Sequence, residues 1–97
     1  MTWLFLTILA GVGAPMPRRH TIEIRGMAFH PAALQVAPGD TVIWINRDIV
    51  PHTATAWAWD TGTLTQEQSG RYVPRRAGTV PYVCTLHPTM KGTLVIR

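Results

Sequence analysis

The stretch Cys84-Thr85-Leu86-His87-Pro88-Thr89-Met90 places a thiol, an imidazole and a thioether within seven residues, and Cys84 is the only cysteine in the chain. On its N-terminal side, Thr79-Val80-Pro81-Tyr82-Val83-Cys84 is β-branched and aromatic. On its C-terminal side, Gly92 gives way to Thr93-Leu94-Val95-Ile96-Arg97, a closing strand. Two strands therefore meet at a loop crowded with soft and borderline donors. Such donors can converge on one ion only if a folded scaffold curls the loop around it. Thiolate, imidazole and thioether select copper, Cu(I) above all, over magnesium or calcium, and two histidines with one cysteine and a weak axial methionine form the blue-copper set.

That set needs a second imidazole. His52, 32 residues before Cys84, supplies it: it follows the strongest strand signal in the chain, Thr41-Val42-Ile43-Trp44-Ile45-Asn46, whose end can lie at the same pole of a sandwich. The apolar residues on both faces of that run predict a central strand. Upstream, Thr21-Ile22-Glu23-Ile24-Arg25 alternates as a half-buried strand, and Gly26 ends it. Residues 27–31 are expected to form a corner, Leu34-Gln35-Val36 a short strand, and Ala37-Pro38-Gly39-Asp40 a turn. Thr53-Ala54-Thr55-Ala56-Trp57 is expected to continue as a strand, with a looser segment at 60–64 and a polar turn at 68–70. Pro74 has no N–H to give a ladder, so the strand beginning at Arg71 is expected at an edge or a bulge. Seven or eight short strands separated by turns, with no helical periodicity, predict an all-β Greek-key sandwich.

The chain has 97 residues, of which 46% are hydrophobic and 14% charged, a balance that suits one packed domain rather than a disordered segment. Residues 3–14 carry no charge but are too few for the roughly 20 apolar residues of a membrane-spanning helix. They are read as the apolar centre of a signal peptide spanning residues 1–14, with residues 15–97 as the single copper-binding domain. That places the protein in the periplasm or another exported setting, with no stable membrane insertion after cleavage. The formal net charge is +4, all of it after residue 14. Basic residues are scattered, without the aromatic and basic pattern of a nucleic-acid module, so an acidic protein partner is expected rather than nucleic acid.

Each donor taken singly has an ordinary explanation: methionine as core filler, histidine on a surface, cysteine as a small buried hydrophobe. Their joint spacing favours the metal. Zinc would suit cysteine and histidine but not the thioether. A nucleophilic Cys–His enzyme is disfavoured because no obvious acid stands ready to orient the histidine. His20, beside Arg18 and Arg19 in a leader segment, and His30, in a turn, are read as non-ligands. No His-x-His pair points to a second copper.

With these residues in place, the sequence resembles the plastocyanin and azurin family of cupredoxins, and within it the amicyanin group. The resemblance covers nearly everything after Pro15. It rests on Met27-x-Phe29-x-Pro31, Pro38-Gly39-Asp40-Thr41-Val42, Trp44-x-Asn46, Pro51-His52, Gly78-Thr79-x-Pro81-Tyr82-x-Cys84, and Cys84-x-x-His87-x-x-Met90 followed by Lys91-Gly92-Thr93. It implies His52, Cys84 and His87 as strong equatorial ligands of one copper ion and Met90 as the weak axial ligand. It implies that the ion cycles between Cu(I) and Cu(II), and that the protein is a monomeric electron carrier, not an enzyme, working between a donor and an acceptor redox protein. A copper carrier or chaperone on the same fold is the alternative. The family pattern also implies that Thr53, where relatives often have Asn, faces Thr85, and that the Thr53 N–H is available to the Cys84 sulfur. Finally, it implies an apolar docking patch around His87 formed by Met27, Val50, Pro51, Leu86 and Pro88.

Overall fold

The structure, a computed structural model, describes residues 16–97, so the expected leader at 1–14 lies outside the described residues. Seven strands follow in order: β1 (Arg19–Arg25), β2 (Ala28–His30), β3 (Ala33–Val36), β4 (Thr41–Asn46), β5 (Ser69–Tyr72), β6 (Gly78–Cys84) and β7 (His87–Ile96). They form two sheets, one ordered β2-β1-β4-β5 and the other β3-β7-β6. β1 runs parallel to β4 and β3 parallel to β7; the remaining pairs are antiparallel. No helix occurs among the described residues, as the absence of helical periodicity predicts.

Side-chain alternation faces the sheets toward each other. Ile22 and Ile24 of β1 and Val42 and Trp44 of β4 meet Val80 and Tyr82 of β6 and Leu94 and Ile96 of β7 in one buried core. β4 is central, as expected, but only its inner residues Val42, Trp44 and Asn46 are fully covered, while Thr41, Ile43 and Ile45 are half-buried. Prolines stand where their missing N–H does no harm. Pro81 lies in β6, an edge strand, and Pro74 lies just beyond β5, the other sheet's edge strand. Pro74 is nonetheless fully buried, and its carbonyl accepts the Gly39 N–H at 2.8 Å.

Several local expectations change, among them the polar turn expected at 68–70, where Ser69 and Gly70 instead open β5. The corner expected at 27–31 contains β2, joined to β1 by a two-residue turn in which Gly26 (φ 60°) and Met27 (φ 61°) are both left-handed, the backbone that matches the twist of a hairpin. His20 is in strand β1 rather than a leader, with its Nε2 2.8 Å from Asp40 Oδ2. Residues 53–57 are not a strand but a crossing segment held by single bridges. His52 pairs with Leu64, while Thr55 pairs on one side with Asp60 and on the other with Val83. The β-prone composition of this segment is satisfied by two neighbours in turn, so no continuous ladder develops.

At one pole the β6–β7 ladder slips. Val83 pairs with Lys91, but Cys84 pairs with His87, leaving Pro88, Thr89 and Met90 bulged out of register. The loop expected between Cys84 and Gly92 is thus a tight turn at Thr85-Leu86 followed by a bulge, and that bulge carries Met90 back into the core.

Candidate metal centre

Cys84 ends β6, His87 begins β7 across the two-residue turn, and His52 arrives from the segment after β4. The histidine Nδ1 atoms of His52 and His87 each lie 3.7 Å from Cys84 Sγ, and the ligand atoms of all three residues fall within 4.8 Å of one another. Cys84 and His52 are completely buried, whereas His87 is half-buried. The two imidazole rings meet edge to face, with centroids 5.0 Å apart and planes at 62°. Met90 is buried in the same core cluster as Cys84. His20 and His30 are elsewhere: the first pairs with Asp40, and the second has Nε2 3.1 Å from the Arg25 carbonyl.

The neighbouring groups hold this arrangement in place. The Thr53 N–H donates to Cys84 Sγ at 3.3 Å, the kind of bond that steadies a thiolate. Thr53 Oγ1 accepts the Thr85 N–H at 2.9 Å and lies 3.1 Å from Thr85 Oγ1, so the segment bearing His52 is pinned directly to the turn after Cys84. The hydroxyl pair that the family pattern implies is therefore joined by a stronger backbone contact.

Two residues that sequence reasoning passed over complete the frame. Asp48 Oδ2 is 2.8 Å from His52 Nε2. A carboxylate accepts there, so Nε2 carries the proton and the Nδ1 lone pair is left facing Cys84. The same carboxylate accepts the N–H groups of Gly26 and Met27 at 2.8 and 3.0 Å, fixing the β1–β2 turn at the rim of the site. Burial opposes ionisation of Asp48, but the N–H of Met27, the His52 imidazole and the N–H of Gly26 outweigh it and bring the carboxyl below its usual range. Asn46, fully buried, donates from its amide nitrogen to the carbonyls of Val50 and Leu64 and accepts the Asp48 N–H. The sequence signal for Asp48 was its position four residues before His52, and for Asn46 a polar residue at an inward position of a strand.

Asp48 also alters one step of the sequence reasoning, because an acid does stand behind His52. The objection to a Cys–His nucleophile rests instead on access. Cys84 has no exposed surface, and two imidazole nitrogens face its sulfur at equal distance. That symmetry suits an ion between the three atoms better than a substrate. One cysteine sulfur and two imidazoles converging on one point are donors that copper takes, and Met90, buried in the same core, adds a thioether to the set, so the residues fit that metal.

The residues expected to ring His87 reach the surface. Met27, Val50 and Leu86 are each about half exposed, Pro51 and Pro88 are exposed, and Ile49, outside the expected patch, is 84% exposed.

Known proteins resemble this chain in sequence and in fold. The profile of "Copper binding proteins, plastocyanin/azurin family" matches residues 18–73. Amicyanin of Paracoccus denitrificans is 35% identical over 83 residues, an alignment covering 78% of this chain and 63% of that protein. The chain thus spans less than two thirds of that relative's length. Amicyanin-alpha of Methylorubrum extorquens is 27% identical over 83 residues, covering 78% of this chain and 70% of that protein. An oxidized mutant of amicyanin superposes with a TM-score of 0.77 at 32% identity, covering 80% of this chain and 81% of the other. A copper-containing nitrite reductase from Thermus scotoductus reaches 0.76 at 25% identity, but there 88% of this chain covers only 23% of the enzyme.

Proposed function

The chain belongs to the plastocyanin/azurin family of copper-binding proteins, and from that premise we propose that it is a type 1 copper protein that carries single electrons between redox partners. His52, Cys84 and His87 are the strong ligands in this reading and Met90 the weak one. The observation that carries it is the convergence of the three donor atoms within 4.8 Å, brought from two chain segments already cross-linked by Thr53. When bound, copper supplies the Cu(II)/Cu(I) couple. The chain's own residues supply fixed geometry: Asp48 orients His52, Thr53 steadies the sulfur, and the turn at Thr85-Leu86 sets the spacing of Cys84 and His87. A site held so firmly changes little between oxidation states, which keeps the barrier to electron transfer low. The protein turns over no substrate of its own.

Export follows from reading residues 1–14 as a cleaved leader, with residues 15–97 as the working domain, a monomer in the periplasm or a comparable compartment. The apolar rim around His87 is suited to a brief encounter with a donor or acceptor, small enough to release quickly. Unpaired positive charge steers acidic partners toward the protein.

Voltammetry of the copper-loaded protein, with a parallel challenge by a Cu(I) chelator, tests this reading. A reversible one-electron wave with the metal retained is the expected result. Rapid loss of copper to the chelator and no reversible wave would instead assign the scaffold to copper delivery.

A further inference from the structure

Away from the His87 face, a cavity of about 510 Å³ is lined by Trp57, Tyr72, Arg75, Arg76, Gly78 and Ile96, among others. Gly78 opens β6 and Cys84 closes it, so this cavity lies toward the end of that strand remote from the metal centre. Trp57 is 83% exposed, an unusual position for so large an apolar surface. Arg75 and Arg76 are exposed, and neither forms an ion pair among the described residues. The carboxylates have internal partners: Glu23 with Arg25 and Arg47, Glu67 with Arg47, Asp40 with His20, Asp48 with His52, and Asp60 with the hydroxyl of Thr55 and the N–H of Gly62. A partner at this cavity must therefore bring the negative charge itself.

Behind the cavity the aromatic rings form a column. Tyr72, in the cavity wall, stacks on Trp59 with centroids 4.6 Å apart, and Trp59 stacks on Trp44 at 5.3 Å. Trp44 then meets Tyr82 edge to face at 5.4 Å. Tyr82 is two residues before Cys84 on β6, and both side chains point into the core. Rings in contact couple electronically better than saturated side chains do. The Nε1 atoms of Trp44 and Trp59 and the Tyr82 hydroxyl have no hydrogen-bond partner in the protein, so none of these rings has a group to take its proton on oxidation. Burial also pushes the Tyr82 phenol up to about 12. The column suits a tunnelling bridge rather than a chain of oxidised stations.

We propose that the Trp57–Arg75–Arg76 cavity is a second docking surface, occupied by an acidic face of a redox protein, and that the Tyr72–Trp59–Trp44–Tyr82 column couples it to Cys84. The proposal rests on the electron-carrier reading. One electron leaves the reduced partner, which is thereby oxidised, and enters the Cys84 centre, reducing Cu(II) to Cu(I), with no proton moved and no bond made or broken. Two surfaces let a donor and an acceptor be engaged without competing for His87.

Two anionic probes test it on the copper-loaded protein. Hexacyanochromate(III), paramagnetic and redox-inert here, should broaden the amide resonances of residues 57–58 and 75–78, and the Arg75→Glu/Arg76→Glu double variant should remove that broadening. The bimolecular rate of reduction by hexacyanoferrate(II) should fall about tenfold in the same variant and lose much of its salt dependence. Tyr72→Leu should slow the reduction while leaving the broadening in place, whereas Tyr72→Phe should leave both the rate and the broadening unchanged. Broadening confined to the surroundings of His87 and Lys91, with the rate responding only to Leu86→Asp, would overturn the proposal. Broadening at the cavity with no effect of the double variant or of Tyr72→Leu on the rate would make it an anion site and also overturn it. If no variant, nor the parent protein, accepts an electron at all, the electron-carrier reading is what fails, and the broadening map still decides the docking surface.

Discussion

Single carboxylates do much of the positioning in this domain. Asp40, 5% exposed, accepts the N–H groups of Ala37 and Arg18 and sits against the His20 ring, and these bonds bring its carboxyl down to about 2. A carboxyl whose folded value lies below its unfolded value of about 3.9 adds stability above that value. The contribution disappears as pH falls toward 2. Asp40→Asn should therefore lower the thermal midpoint at pH 7, and the gap to the parent protein should close between pH 4 and pH 2. A gap of equal size at pH 2 would remove this role from Asp40. Thr53 offers a second test. Thr53→Ala leaves the Thr85 N–H without its acceptor and should cost about 1–3 kcal/mol in urea unfolding. Thr53→Ser keeps the hydroxyl and should cost clearly less, so equal losses in the two variants would show that the methyl group, not the bond, is what matters. Such roles were poorly legible in the sequence. Asp48 and Asn46 are one polar residue each, and their partners lie up to 22 positions away, so only the folded chain reveals that they frame His52.

Strands were legible where their burial alternates and illegible where pairing is shared. Ile22 and Ile24 announced β1 through alternation, the β-branched and aromatic run from Thr41 to Asn46 announced β4 through apolar residues on both faces, and Pro74 signalled the edge position of β5. The two residues that precede Thr21 in β1 were lost because Arg19 and His20 look like part of a charge run, and the buried partner of His20, Asp40, is 20 positions away. The segment 53–57 misled in the other direction: its composition is strand-like, but Thr55 divides its bonds between Asp60 and Val83. The three-residue slip between β6 and β7 had no signature beyond the donor spacing itself, since nothing in Pro88-Thr89 distinguishes a bulge from a loop. One consequence of the ladder can be tested. Gly92 pairs with Tyr82, and a Cβ at Gly92 would run into the Tyr82 ring. Gly92→Ala should destabilise the domain by about 1–3 kcal/mol through overpacking. In a Tyr82→Leu background the same substitution should cost appreciably less. Additive losses in the double variant would mean that the clash is relieved elsewhere.

At the scale of the molecule, two sheets converge on a pole where polar bonds fix the geometry and apolar residues form the rim. Asn46 and Asp48 at the end of β4 hold the loop that presents His52, and the β6–β7 turn presents Cys84 and His87. Thr53 joins the two, so neither segment can move without the other. Arg75 and Arg76, beside Trp57, have no carboxylate partner among the described residues. All of it depends on the three converging donors being the ligands of one copper ion. Titrating the metal-free protein with Cu(II), for the parent and for Cys84→Ser, and recording the visible spectrum measures this most directly. The parent should develop one intense sulfur-to-copper charge-transfer band that saturates at one equivalent, and the serine variant should show none. An intense band that survives in Cys84→Ser, or a parent protein that binds one equivalent without colour, would contradict the account.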